Sequence, residues 1–114
     1  MSMSDCIFCR IVRGEIPTQK VAESDKAFAF RDTNPQAPVH VLVVPKTHVA
    51  SLEAADDAGV LGAVLHLAAD VARQEGVAES GYRTVLNTGA AAGQTVHHLH
   101  AHVLGGRDFT WPPG

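Results

Sequence analysis

Apolar and polar positions change rhythm several times along this chain, and each change marks an element. A short helix is expected from Cys6 to about Arg13, with Asp5 placed to cap it and Gly14 to end it. Pro17 then forces an extended exit. Val21–Ala22 and Ala27–Arg31 read as short strands around the turn-forming Ser24-Asp25 pair. Asp32 to Pro38 is loop by composition, because its prolines deny backbone donors to a sheet. His40–Val44 is β-branched and nearly continuous, the pattern of a buried strand. A long helix follows, which Asp56 or Asp57 can cap. Val60/Leu61, Val64/Leu65, Ala68 and Val71/Ala72 fall at helical spacing, and the helix should stop near Gly76. Arg83–Asn87 reads as a strand, Thr88–Thr95 as a glycine-punctuated loop, and His98–Leu104 as a last strand ending at Gly105-Gly106. The tail Trp111-Pro112-Pro113-Gly114 is irregular by its prolines. This order predicts an α+β sandwich with the helices packed on one face.

Composition narrows what such a fold can be for. The 114 residues fit one domain, and 46% hydrophobic residues suffice for one core without disulfide staples. A core this modest gains from further burial at a subunit interface, so a homodimer is expected. The formal charge of -3, with no run of Lys or Arg longer than a dipeptide, argues against a surface for nucleic-acid polymers. A nucleotide-sized anion needs only a few local donors. The start, Met1 to Asp5, has no basic or apolar leader region, so no secretory signal is expected. The longest apolar stretch, Val60 to Ala72, is broken by Gly62, His66 and Asp70 and falls short of a membrane span. Cys6 and Cys9 are too close to clamp a long loop; without a leader they read as metal ligands, a redox pair or core filler. The expected address is the cytoplasm.

Most of the chemical information lies in Val96-His97-His98-Leu99-His100-Ala101-His102-Val103-Leu104. On a strand, His98, His100 and His102 share one face, and Leu99, Ala101 and Val103 the other. The apolar side then faces the core and the histidine side a cleft. Two strand steps separate neighbouring imidazoles by roughly 6.6 Å and the outer pair by roughly 13 Å. One zinc with bonds of about 2 Å accepts two neighbours, but not all three. The other use of neutral imidazole is as nucleophile or acid–base group near neutral pH. The plain alternative, a polar strand face dotted with histidines, is disfavoured because three of only seven histidines alternate here. Gly89, Gly93, Gln94 and Thr95 lead into this segment. Gly93 permits close backbone approach, and neighbouring N–H groups could form an anion-binding nest.

With those residues in view, the chain resembles the histidine-triad (HIT) family, whose signature His-φ-His-φ-His-φ-φ (φ apolar) fits His98-Leu99-His100-Ala101-His102-Val103-Leu104 throughout. Asp5-Cys6-Ile7-Phe8-Cys9, Gly14-Glu15-Ile16-Pro17, Pro35-Gln36-Ala37-Pro38 and Val44-Pro45-Lys46-Thr47-His48 are similar to family segments in family order. Gly105-Gly106-Arg107 and the terminal Trp-Pro-Pro-Gly resemble the Hint branch. The resemblance implies a five-stranded antiparallel sheet with one long and one short helix, two such sheets joining across a homodimer. It also implies a tail, residues 107–114, that contributes to the dimer and active site.

The activity implied is hydrolysis of a nucleoside 5′-phosphoramidate, with His100 as nucleophile, an AMP-like purine nucleotide as ligand, and no metal in catalysis. His102, Asn87 and Thr95 would donate to phosphate oxygens beside Gly93, with Thr95 standing where a serine is usual and able to pass a proton to the leaving group. Asp32 matches the ribose-binding carboxylate; Phe8, Ile11, Ile16 and Phe30 match the apolar walls of the base pocket. Thr33-Asn34, in place of an aliphatic-Ser pair, leaves one wall more polar. Similarity to bacterial relatives implies a closed structural zinc site of Cys6, Cys9, His48 and His98. His40 aligns with a buried family histidine. The same chemistry would serve a dinucleoside polyphosphate hydrolase or nucleotidyl transferase. A nucleotide-binding scaffold is the reading from another class.

Overall fold

The computed structural model describes residues 5–114. Residues 1–4, most of the start on which the expectation of no secretory leader rests, lie outside them. The elements in chain order are α1 (Ile7–Val12), β1 (Lys20–Glu23), β2 (Ala27–Arg31), β3 (Val39–Pro45), α2 (Ala58–Gln74), β4 (Tyr82–Val85) and β5 (Ala101–Gly105). The strands form one five-stranded antiparallel sheet in the order β1-β2-β3-β5-β4. No described helix is long and apolar enough to cross a membrane.

Strand alternation explains how this sheet carries two cores. Ala27 and Ala29 of β2, Val41 and Val43 of β3, and Ala101 and Val103 of β5 point to one face. There they pack with Val64, Leu67, Ala68, Val71 and Ala72 of α2. Phe28 and Phe30 of β2 and Leu42 and Val44 of β3 point to the other face and pack with Cys6, Phe8, Cys9 and Ile11 at α1. The two helices therefore lie on opposite faces, not on the same one as the element order suggested. β2 and β3 are buried on both sides, which is why β3 reads as a continuous apolar run.

Local rules set the helix ends. Asp57 caps α2, its Oδ1 accepting the Gly59 N–H at 2.8 Å. Within α2, Val64, Ala68, Val71 and Ala72 are buried as the spacing predicts, while Leu67 joins the stripe and Leu65 is exposed. The cap of α1 is Cys6 rather than Asp5, its Sγ accepting the Cys9 N–H at 3.4 Å. Both sulfurs are thereby fixed at the start of the helix. Behind α2 the chain folds back so that Val77 covers β5. A Cβ on Gly105 would stand 2.8 Å from the Val77 Cβ, so only glycine fits there.

β4 and β5 are shorter than the sequence suggested. β4 stops at Val85, short of Asn87, and β5 starts at Ala101, so neither His98 nor His100 lies in the ladder. The backbone bends through residues 96–98 before joining it, and this bend decides where the histidines point.

Candidate active site and metal centre

The bend sends His98 inward. Its side chain is completely buried (0% exposed), not facing a cleft, and its Nε2 donates to the Pro45 carbonyl at 2.9 Å. With the proton on Nε2, Nδ1 presents a bare lone pair. That Nδ1 lies 3.3 Å from Cys6 Sγ, 3.5 Å from Cys9 Sγ and 3.2 Å from His48 Nδ1, and Cys9 Sγ lies 3.3 Å from His48 Nδ1. All four expected metal residues thus converge on one point.

The fit to a tetrahedral metal can be tested on these edges. Zinc with two Zn–N bonds near 2.0 Å and two Zn–S bonds near 2.3 Å requires N···N and N···S edges of about 3.3 and 3.5 Å. The observed edges match. Without a cation the arrangement is electrostatically poor. Burial first, then the adjacent Cys6, push the Cys9 thiol up to about 11. Burial pulls His98 down to about 4, against the Pro45 carbonyl, which favours its charged form. Two sulfurs and two imidazole nitrogens aimed at one buried point suit a soft dication. The Pro45 carbonyl is the outer partner that fixes such a ligand's tautomer.

His100, two residues on, points elsewhere. Its Nδ1–H donates to the His98 carbonyl at 2.7 Å, leaving Nε2 as the free lone pair. Its ring stands edge-on between Phe8 and His102, with centroids 5.1 and 5.0 Å away. The 5.0 Å spacing is shorter than two flat strand steps because His100 precedes the ladder.

His102 sits in β5 beside β3, where His40, given only a minor role from sequence, is buried. The Gln36 N–H donates to His40 Nδ1 at 2.9 Å. The His40 proton is therefore on Nε2, 2.9 Å from His102 Nδ1 and 3.3 Å from Asp32 Oδ2. His102 then carries its own proton on Nε2, the ring's free donor. Burial lowers His40, against the pull of Asp32. Burial, reinforced by His100 and His40, lowers His102 to about 4. Both rings are neutral at pH 7.

Next to this array is a cavity of about 180 Å³. Phe8, Ile11, Ile16, Phe30 and Asp32, all expected at a nucleoside site, line it together. Leu42, Thr18 and Thr33 line it too. Thr33 places the expected polarity on its wall, while Leu42 and Thr18 were not singled out from sequence. Asp32 Oδ1 accepts the Asn34 N–H at 2.8 Å, and its side chain remains partly exposed.

The glycine loop is less open than expected. The Gly93 N–H donates to Ala90 O, the Gln94 N–H to Gly89 O, and the Gly89 N–H to Gln94 Oε1. The N–H groups of Gly89, Gly93 and Gln94 are therefore not available to an anion nest. Asn87 is half-buried and Thr95 exposed; neither lines the cavity or hydrogen-bonds a histidine. Another concavity, about 690 Å³ between the β1–β2 turn and α2, lies on the α2 side. Its titratable groups, Asp25, Lys26, His66 and Asp70, are exposed or half-exposed, with no convergent buried array.

Comparison with known proteins agrees with this arrangement. The HIT domain family model matches residues 13–109. The chain is 54% identical over 112 residues to an uncharacterized HIT-like protein of Synechococcus elongatus, covering 96% of this chain and 97% of that one. It is 47% identical to the 14 kDa zinc-binding protein of Zea mays, covering 97% and 89% of the two chains. With the adenylylsulfatase HINT1 of Arabidopsis thaliana it shares 46% identity, covering 99% and 79%. A HIT family hydrolase from Legionella pneumophila superposes with a TM-score of 0.92 at 46% identity, covering 96% of this chain and all of that one. With the triad motif, the five-stranded sheet and these matches in agreement, the chain belongs to the HIT family, in its Hint-like branch.

Proposed function

We propose that this protein hydrolyses nucleoside 5′-phosphoramidates, purine nucleotides above all, through a nucleotidyl-histidine on His100. One observation carries the reading. The His98 carbonyl holds Nδ1–H of His100, so Nε2 is the nitrogen free to attack, and the His100 ring packs 5.1 Å from Phe8, which lines a base-sized cavity. His100 Nε2 attacks the phosphorus, the P–N bond breaks, and the departing amine takes a proton that solvent water supplies through the exposed Thr95 hydroxyl. The ring gains positive charge as the P–Nε2 bond forms, and the His98 carbonyl stabilises it through the Nδ1–H. Water then attacks the phosphorus and loses a proton to solvent, replacing the one taken by the amine; the P–Nε2 bond breaks, and AMP and neutral His100 are released. His102 Nε2–H, aligned through His40, and Asn87 donate to the non-bridging oxygens beside Gly93. Asp32 takes the ribose hydroxyls, and Phe8, Ile11, Ile16 and Phe30 hold the base.

In the same reading Cys6, Cys9, His48 and His98 hold a structural zinc. With four protein ligands such a site has no open position, so it ties α1 to the histidine segment and catalysis proceeds without metal. The printed name of the Zea mays relative supports the zinc, and that of the Arabidopsis relative supports hydrolysis at an adenylyl phosphorus. We also propose a cytoplasmic homodimer in which two sheets join, with residues 107–114 at the interface. Support comes from the open outer edge of β4 and the exposed Tyr82 and Leu65.

The test is incubation with adenosine 5′-phosphoramidate, with and without chelator. Wild type should release AMP over many turnovers and His100→Ala should not, though it still binds AMP. Binding without turnover in wild type would sink the reading and favour a nucleotide-binding scaffold.

A further inference from the structure

α1 has only six residues, too few to persist as a helix on its own, so its attachments decide whether it forms. Those attachments are few. Among the described residues, no hydrogen bond or ion pair joins residues 6–15 to the chain beyond Pro17, except the contacts of Cys6 and Cys9 with His48 and His98. Arg10 and Arg13 both turn back to Glu15, inside the same segment. The rest of the attachment is apolar, with Phe8 and Ile11 packed against Phe28, Phe30, Leu42 and Val44.

The two kinds of attachment belong to different sites. Cys6 and Cys9 are two of the four residues that converge as a metal centre. Ile7, Phe8 and Ile11, interleaved with them along the same turns, line the cavity of about 180 Å³. Phe8 stands between the cysteines in sequence, and its ring meets a residue of each site edge-on. His98 of the metal centre lies 5.9 Å away and His100 lies 5.1 Å away, between ring centroids. A movement that lifts α1 from the sheet opens the cavity and withdraws two ligands together. Neither site can lose this helix alone. Two sites that need one segment docked are coupled, because each ligand binds the docked state better, and the coupling is reciprocal.

We infer that a metal ion in the four-residue centre and a nucleotide base in the cavity hold α1 down together, so that each slows the escape of the other. The inference rests on the nucleoside and zinc assignments proposed above, and deepens them. It gives the metal a part in retaining substrate without a part in the chemistry. In that reading the phosphate and ribose are held by groups outside α1, so they take no part in the coupling.

The experiment follows zinc as it passes from the zinc-loaded protein to an excess of a chromophoric chelator. It is run without ligand, with AMP and with ribose 5-phosphate, each ligand at about ten times its own measured Kd. At an equal multiple of Kd, mass action stabilises the folded chain equally for both ligands, so any difference reports the base on α1. AMP should slow zinc transfer by about fivefold, the lower end of ordinary coupling between sites, and ribose 5-phosphate by less than about twofold. Equal slowing by the two ligands would place zinc loss on global unfolding and overturn the inference. AMP that binds without slowing zinc loss would overturn the inference alone. AMP that does not bind would overturn the nucleotide site as well, and a chain that takes up no zinc would overturn the metal centre with it. Turnover is not read, so failure of the His100 chemistry would show itself separately.

Discussion

His100 donates its Nδ1–H to the carbonyl oxygen of His98, 2.7 Å away, and that contact leaves Nε2 as the nitrogen with the free lone pair. A neutral imidazole in this position holds the Nδ1–H tautomer, the less common one in free solution. ¹⁵N-resolved NMR of the neutral protein should therefore show His100 protonated on Nδ1. His98, held by Pro45, should show the opposite tautomer. A His100 ring protonated on Nε2 would block the nitrogen proposed as nucleophile and contradict the proposed mechanism.

Phe8 should matter to rate as well as to binding. Its ring meets Phe30 at 5.5 Å in the cavity wall and His100 at 5.1 Å beside it. Phe8→Leu keeps an apolar wall but removes the edge contact that restrains the imidazole. Steady-state kinetics on a phosphoramidate should show kcat down by about tenfold, the loss of about 1.4 kcal/mol in ring positioning, with a smaller rise in KM. A change in KM alone would confine Phe8 to the pocket.

Acid should weaken the fold through His102 and His40. Burial holds their pKa values below the ordinary imidazole value, His102 at about 4, so the unfolded chain binds more protons between pH 6.5 and 4. Stability is therefore complete above about pH 6.5 and falls as pH drops towards 4. For His102 the loss should be about 2 kcal/mol, after discounting for the ring's partial exposure. Urea unfolding midpoints measured across this range should decline in wild type and decline less in His102→Gln. Equal slopes would show that other groups carry the acid sensitivity.

The metal centre should be visible in stability. Purified protein should contain about one zinc per chain by elemental analysis. Chelation, or Cys9→Ser, should lower Tm by about 10 °C, the equivalent of roughly 2 kcal/mol in a domain of this size. An unchanged Tm after complete metal removal would make the thiols ordinary core filler.

Gly105→Ala tests the packing of β5. The new methyl group would lie 2.8–2.9 Å from Val77 Cβ and both its γ-carbons, too close for a branched side chain to yield by rotation alone. Thermal or urea unfolding should show a loss of about 1–3 kcal/mol. Val77→Ala in the same chain should restore part of it.

The elements were legible where one local rule governed them. Asp57 caps α2, and the apolar run of β3 becomes a strand buried on both faces. Reading failed where distant contacts decide. Nothing local shows that α1 covers the face opposite α2; the alternation Ala27-Phe28-Ala29-Phe30 holds that information only once β2 is known to be central. The triad residues were legible from their type, but the backbone bend that turns His98 away from His100 was not. His40 could have been found: a histidine opening a continuous apolar strand must be buried, and a buried imidazole needs partners on both nitrogens.

That alternation in β2 also limits how the gene can change. Substitutions can drift on the alanine side without disturbing the phenylalanines, because successive residues answer to different neighbours. A single-residue insertion or deletion between Ala27 and Arg31 is another matter: it would exchange the two sets of side chains, driving bulky rings against α2 and leaving gaps beside Cys6 and Leu42. Length variation among descendants of this sequence should therefore collect in the segments before and after the central strands, around residues 32–38 and 46–57, and be absent from β2 and β3 themselves.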